Sequence, residues 1–446
     1  MRRLIKKTAL ISVCLLIILS FALNVGAKVQ VSDYVIPISG ELEAECPNAV
    51  LYCDDREQYL YSKGASEMLH VSAFAKLMVG AVALELYADR LDEKVLITNE
   101  LLEGSSGLVI YLEKGETLTI EQLLHATLMG GANDAATVLA RLYTGNINDF
   151  IALMNEKAKE AGAVNTVYKN VTGLYADGMT TTLYDQIKIA KYAYSIKGLT
   201  DITQKDKYII PKTEKFTVRT VLSRNHLVST YRDTRYKTEG VNGLCYGTTG
   251  ESGDVLLVSA VRGGMTYFMA FYGGGISETD NDIEVYKDAV DLLDHAENGF
   301  GFVKVLSAKK LISEIAVKYN TTVDTVALVP EDDVTLYLPL DLDIEKDLEY
   351  NVIVYNEELS APVSEGQAEG QVVVKYDGQE ICRADLITKN PVSRNKILYV
   401  LDRIEEFTSS RRFIITLIIF VLLLIVYVLI SAIVHHRMKK RRRKLR

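Results

Sequence analysis

The stretch from Val71 to Met78 reads VSAFAKLM, and Lys76 within it has the setting of a general base. A lysine three residues after a serine on one helical turn puts an amine beside a hydroxyl, where it can draw off the proton and make a nucleophile. The residue three before Lys76 is Ala73, which offers no such atom. Ser72 stands one step further back, turned about 100° round a helix from Ala73, and a serine in that place commonly caps the helix. Cys245 is the other nucleophile type in reach of the argument. A thiol needs a base or a positive field to ionise, however, and a small packed strand residue is its ordinary role.

Other chemistries find less support. The six histidines are His70, His125, His226, His295, His435 and His436, with no H-E-x-x-H pair, and no glycine-rich phosphate loop follows a strand. The chain is therefore read without metal or cofactor. Cys46, Cys53, Cys245 and Cys382 lack C-x-x-C spacing and are expected as buried free thiols; Cys14 lies in the N-terminal apolar run.

The ends say where the molecule works. Arg2, Arg3, Lys6 and Lys7 precede an apolar run and the small residues Val25-Gly26-Ala27, so residues 1–27 are read as a signal peptide, with an uncleaved signal anchor as the alternative. Residues 413–434 (FIITLIIFVLLLIVYVLISAIV) hold no charge and suffice to span a bilayer. The basic run at 435–446 marks a cytoplasmic tail, which places the preceding domains outside. The chain carries 58 acidic and 50 basic residues, many of the latter at its two ends, so the exported body is acidic and unsuited to nucleic acid.

Between the ends, Asn48 to Lys63 alternates like a hairpin, and Ser72 to Arg90 is an alanine- and leucine-rich helix expected to be buried. Further helices are expected at Ile120 to Met129, Asp134 to Tyr143, Ile147 to Ala161 and Leu183 to Tyr194. Paired strands are expected at Asp254 to Gly275 and a closing helix at Asp282 to Ala296. This order predicts an α+β domain, helices around an antiparallel sheet, over residues 28–298. Short strand candidates then predict a β-sandwich over 299–391, and 392–412 is read as a linker to the membrane helix.

The segments AVLYCDDREQYLYSKGASEMLHVSAFAKLM, GLVIYLEKGETLTIEQLLHATLMGGANDAATVLA, VNGLCYGTTGESGDVLLVSAVRGG and LSAPVSEGQAEGQVVVKYDGQEI occur in this order. Together they resemble the low-molecular-mass penicillin-binding D-alanyl-D-alanine carboxypeptidases, serine peptidases that trim peptidoglycan stem peptides. The resemblance implies a β-lactamase/DD-peptidase-like domain followed by a β-rich stalk, and a centre built on the motifs S-x-x-K, S-x-N and K-T-G. Here the first reads Ala73-Phe74-Ala75-Lys76, the second Gly131-Ala132-Asn133 and the third Cys245-Tyr246-Gly247. Lys76 and Asn133 remain as catalytic remnants, and Cys245, Tyr246, Gly247 and Thr248 mark the degenerate substrate strand. Thr172 in NVTGL replaces a usual histidine.

Loss of the nucleophile in comparable serine hydrolases lowers the rate about a million-fold. The chain is therefore expected to be an inactive family member that binds peptidoglycan stem peptides or organises the wall. A working carboxypeptidase using Ser72 or Cys245 is the first alternative, and a membrane-anchored sensor or scaffold the second. Lys76 is expected either to hydrogen-bond a bound peptide or to pair with Asn133, since a buried charge needs a partner.

Overall fold

The computed structural model describes residues 29–31, 42–278 and 280–444. The expected signal peptide lies outside the described residues. After a short strand β1 (Val29–Val31), the hairpin β2 (Asn48–Cys53) and β3 (Gln58–Lys63) forms as its alternation predicts. The helix α1 (Ala75–Tyr87) follows. All of α1 except Glu85 and Leu86 is buried, as a sequence apolar on nearly every side requires, with Lys76 the one charged residue among the buried ones. Four helices surround it: α2 (Ile120–Leu128), α3 (Asn133–Thr144), α4 (Ile147–Glu160) and α5 (Leu183–Ser195). Gly80 lets α1 approach α2 closely, because a Cβ there would stand 2.4 Å from Leu128 Cδ2.

Three long strands, β4 (Val241–Thr249), β5 (Gly253–Arg262) and β6 (Met265–Gly274), complete the first sheet. Its order is β4-β5-β6-β2-β3, antiparallel throughout. The helix α6 (Glu284–Gly299) covers the face opposite α1, where Val285, Leu292 and Leu293 pack on Leu256, Val258 and Phe271. The cleft described below lies where β4 meets the start of α1.

A second domain begins at once with β7 (Phe300–Leu306), followed by β8 (Ser313–Lys318), β9 (Thr325–Pro330), β10 (Val334–Pro339), β11 (Leu348–Val354), β12 (Glu358–Ser360), β13 (Ala368–Tyr376) and β14 (Gln379–Thr388). One sheet runs β11-β13-β14-β9-β8-β12 with β1 paired to β14, and β7 pairs with β10 in a separate ribbon. The two layers enclose their own core, which includes Leu306, Ile315, Leu328, Leu338, Val372 and Leu386. This is the sandwich-like domain that the short alternating strands predicted.

The stretch read as a linker, residues 392–412, contains the helix α7 (Lys396–Ser409), and one residue later begins α8 (Arg411–Lys444). Within Arg411–His436 an 18-residue window has a mean hydropathy of 3.5 and is unburied, so the segment is long and apolar enough to cross a membrane. The four cysteines among the described residues are free and buried, as expected.

Candidate active site

Ala73 lies on a 3-10 turn (Ser72–Phe74) that runs directly into α1, one turn before Lys76. Its methyl faces β4 at close range: a Cβ built on Gly247 would stand 2.4 Å from Ala73 Cβ. The strand therefore lies against the position where the first motif would carry its serine oxygen. A cavity of about 80 Å³ opens beside this contact, lined by Ala73, Lys76, Asn133, Arg224, Tyr246 and Thr248 among others. That volume is well below the few hundred Å³ of an ordinary small-molecule pocket. It has room for a small group only.

Both candidate replacement nucleophiles are turned away. Ser72 has φ 50°, in the left-handed region that L-residues seldom adopt, and it makes no side-chain cap on the helix. Its hydroxyl is fully buried and shares a 2.8 Å hydrogen bond with Ser252. Ser72 is thus neither the expected helix cap nor a lining residue of the cleft. Cys245, named with the degenerate substrate strand, is not among the cavity's lining residues and packs as the small buried strand residue that was its ordinary role. Its Sγ donates to the carbonyl of Ala73 at 3.1 Å, behind the cavity wall. Burial pushes the thiol up to about 11 against the opposing pull of Lys76 and Arg224, so it stays protonated at neutral pH.

Lys76 does not pair with Asn133. Its ammonium donates at 2.6 Å to the carbonyl of Thr172, in the NVTGL loop. Gly173 of that loop packs on the carbonyl of Ser72, where a Cβ would come within 2.0 Å. Burial lowers the Lys76 pKa to about 8, and the nearby Arg224 pushes in the same direction. Asn133 instead donates from Nδ2 to the carbonyl of Ser106 at 2.6 Å, and its Oδ1 is buried with no partner.

The second motif has also repacked. Gly131 has φ +69°, a conformation that strains any residue with a Cβ, and a Cβ there would meet Leu108 at 3.2 Å and Arg224 Cδ at 3.4 Å. Arg224 thus stands beside the position vacated by the motif's serine. Its guanidinium lies 5.8 Å from the Tyr246 ring centroid, and its buried Nε has no hydrogen-bond partner. The Tyr246 hydroxyl donates to Asp254 Oδ1 at 3.0 Å, and its ring packs 5.2 Å from that of Tyr286. Burial raises the pKa of Asp254, while Arg224 draws it down.

Arg224 was missed from the sequence. Its only local signal is an arginine in a polar loop, SRNH, and arginine suits a carboxylate through its fork of donors. The cleft therefore contains two cationic side chains, an orphaned amide oxygen and an orphaned guanidinium N–H. Neither serine nor cysteine is among its lining residues. Such an arrangement can hold a small anionic group.

Comparison with known proteins assigns the fold and the family. The model of the D-alanyl-D-alanine carboxypeptidase family matches residues 38–272, and that of the penicillin-binding protein 5 C-terminal domain matches residues 300–394. D-alanyl-D-alanine carboxypeptidase DacF of Bacillus subtilis is 26% identical over 376 residues, covering 82% of this chain and 90% of that protein. DacA of Escherichia coli is 27% identical over 291 residues, covering 65% of this chain and 66% of that protein. Among solved structures, the carboxypeptidase DacD of Francisella tularensis superposes with a TM-score of 0.58 at 18% identity, covering 81% of this chain and 97% of that one. Penicillin-binding protein 5 of Haemophilus influenzae gives 0.52 at 22% identity, with 80% and 99% covered. With the first domain matched by the peptidase model and the second by the C-terminal model, the chain belongs to the D-alanyl-D-alanine carboxypeptidase family.

Proposed function

We propose that this chain binds the ends of peptidoglycan stem peptides without hydrolysing them, held at the cell membrane by α8 with both domains outside and the basic tail in the cytoplasm. The observation that carries the reading is the substitution of the acyl-accepting position by Ala73, with β4 closed against its methyl. Acyl transfer needs an oxygen or sulfur at that point, and Ser72 and Cys245 are committed to Ser252 and to the Ala73 carbonyl. In the binding role, Arg224 and protonated Lys76 hold the peptide's terminal carboxylate, with Asn133 Oδ1 accepting from a peptide N–H. Orphaned buried polar atoms in a cleft are what a ligand of this kind would satisfy.

Incubation with a penicillin followed by intact-mass measurement tests the catalytic half. No adduct is expected. A stoichiometric adduct would overturn it, and peptide mapping would then choose between Ser72 and Cys245. Titration with a stem peptide ending in D-alanyl-D-alanine tests the binding half. Saturable binding that weakens when the terminal carboxylate is amidated is expected, and absence of binding would sink it.

A further inference from the structure

Lys76 and Arg224 are two cations on the wall of one small cavity, and no acidic residue lines it. The charges that act on Lys76 are those of Cys245 and Arg224, with no carboxylate among them. Asp254, whose carboxylate Arg224 attracts, already accepts from the Tyr246 hydroxyl at 3.0 Å. An ammonium has three N–H donors, and that of Lys76 has one partner among the described residues, the Thr172 carbonyl. Burial and a like charge both disfavour the protonated form. Lys76 yields to both: its pKa falls to about 8, so about a tenth of it is free amine at pH 7, against about three in ten thousand for an ordinary lysine at 10.5. A desolvated amine of this kind is a nucleophile.

The cavity limits what that nucleophile can meet. At about 80 Å³ it admits a small group, and its wall holds an unpartnered donor, the buried Nε of Arg224. A group that relieves this arrangement must bring negative charge to Arg224 and leave Lys76 with fewer donors to satisfy. We propose that Lys76 reacts reversibly with carbon dioxide to form a carbamate, its oxygens accepting from Arg224 and its remaining N–H kept by the Thr172 carbonyl. The ammonium first gives a proton to water. The amine lone pair then attacks the carbon of carbon dioxide, one C=O π pair moves onto oxygen as the N–C bond forms, and the nitrogen releases a second proton. The side chain passes from positive to negative, so two repelling cations become an ion pair, and a single N–H replaces three. One consequence rests on the peptide-binding reading above: the carbamate removes the ammonium and occupies Arg224, so carbon dioxide competes with the peptide's terminal carboxylate.

The full-length chain in detergent, equilibrated with isotopically labelled bicarbonate at neutral pH and followed by carbon NMR, tests the modification. The expected result is a carbamate resonance that is lost when carbon dioxide is purged, absent from Lys76→Met and weakened several-fold in Arg224→Gln. No carbamate signal, or the same signals in the parent and in Lys76→Met, would overturn the proposal. Should Lys76→Met fail to fold, Arg224→Gln decides, and a signal that it leaves at full strength overturns the assignment. The competition is read separately, by titrating a stem peptide in bicarbonate and in chloride of equal ionic strength. Affinity several-fold weaker in bicarbonate is expected for the parent, with no such difference in Lys76→Met. Equal affinities in a chain that carries the carbamate overturn the competition alone. A carbamate in a chain that binds no peptide even after purging overturns the peptide reading and leaves the modification standing.

Discussion

Two arginines five positions apart, Arg219 and Arg224, show how differently this fold treats polar groups. Arg219 is buried and fully engaged: it donates to Glu116 at 2.6 and 2.8 Å and to the carbonyls of Ile110 and Tyr111, and it stacks 3.9 Å over the Phe216 ring. Glu116, fully buried, also accepts from Thr213 and from the backbone of Glu113. Every oxygen of that carboxylate is used. At the cleft, by contrast, Arg224 Nε and Asn133 Oδ1 have no partners, and Lys76 has one. The structural ion pair is thus fully satisfied, whereas two atoms of the cleft are among the buried polar atoms left without a partner, a contrast that the proposed binding role would account for.

That comparison can be broken at either end. The largest effect is expected from Arg219→Met, which strands the Glu116 carboxylate in the core and should cost about 3–5 kcal/mol in urea denaturation. A loss below about 1 kcal/mol would remove the contrast. Lys76→Met should act in the opposite direction. Burial holds the Lys76 pKa near 8, below its ordinary 10.5, so the folded state bears a penalty for the charge at every pH below about 8. That penalty fades as pH rises toward the unfolded value. The variant should therefore be more stable than the parent by about 1–3 kcal/mol at pH 7, with the gain shrinking above pH 8. A destabilised variant at pH 7 would mean that the bond to Thr172 outweighs the desolvation.

A smaller effect should separate binding from stability. Because protonated Lys76 attracts a carboxylate, stem-peptide affinity should fall several-fold as pH rises through about 8, while that of an amidated peptide stays level. Smallest of all is Asn133→Ala. It removes the bond to Ser106 together with an orphaned oxygen, so stability should move by no more than about 1 kcal/mol while peptide binding weakens.

Much of the architecture was legible because its periodicities are local. The hairpin of β2 and β3, the helices α1 to α6 and the paired strands β5 and β6 lie within a few residues of the spans their patterns predict. The spacing of Ile397, Val400, Leu401, Ile404 and Phe407 carries the signal of α7, in a stretch read above only as a linker. The cleft was legible only in part. The positions of Ala73, Lys76, Gly131, Asn133 and Gly247 follow from the motifs, whereas Arg224 enters from a loop with no motif of its own.

The sequence by itself determined which atoms exist: no serine at position 73, no side chain at 131, a thiol and a phenol in the third motif, and an uncharged run long enough for a membrane. Tertiary structure decided where those atoms point. A left-handed φ at Ser72 sends its hydroxyl to Ser252, strand register puts the Cys245 thiol behind the wall, and the packing of a remote loop against α1 gives Lys76 the Thr172 carbonyl in place of Asn133. The physical reason is that residue type and spacing fix local geometry. The direction of a buried polar group is set instead by which distant segment supplies its partner, and only the packed chain brings that segment into place.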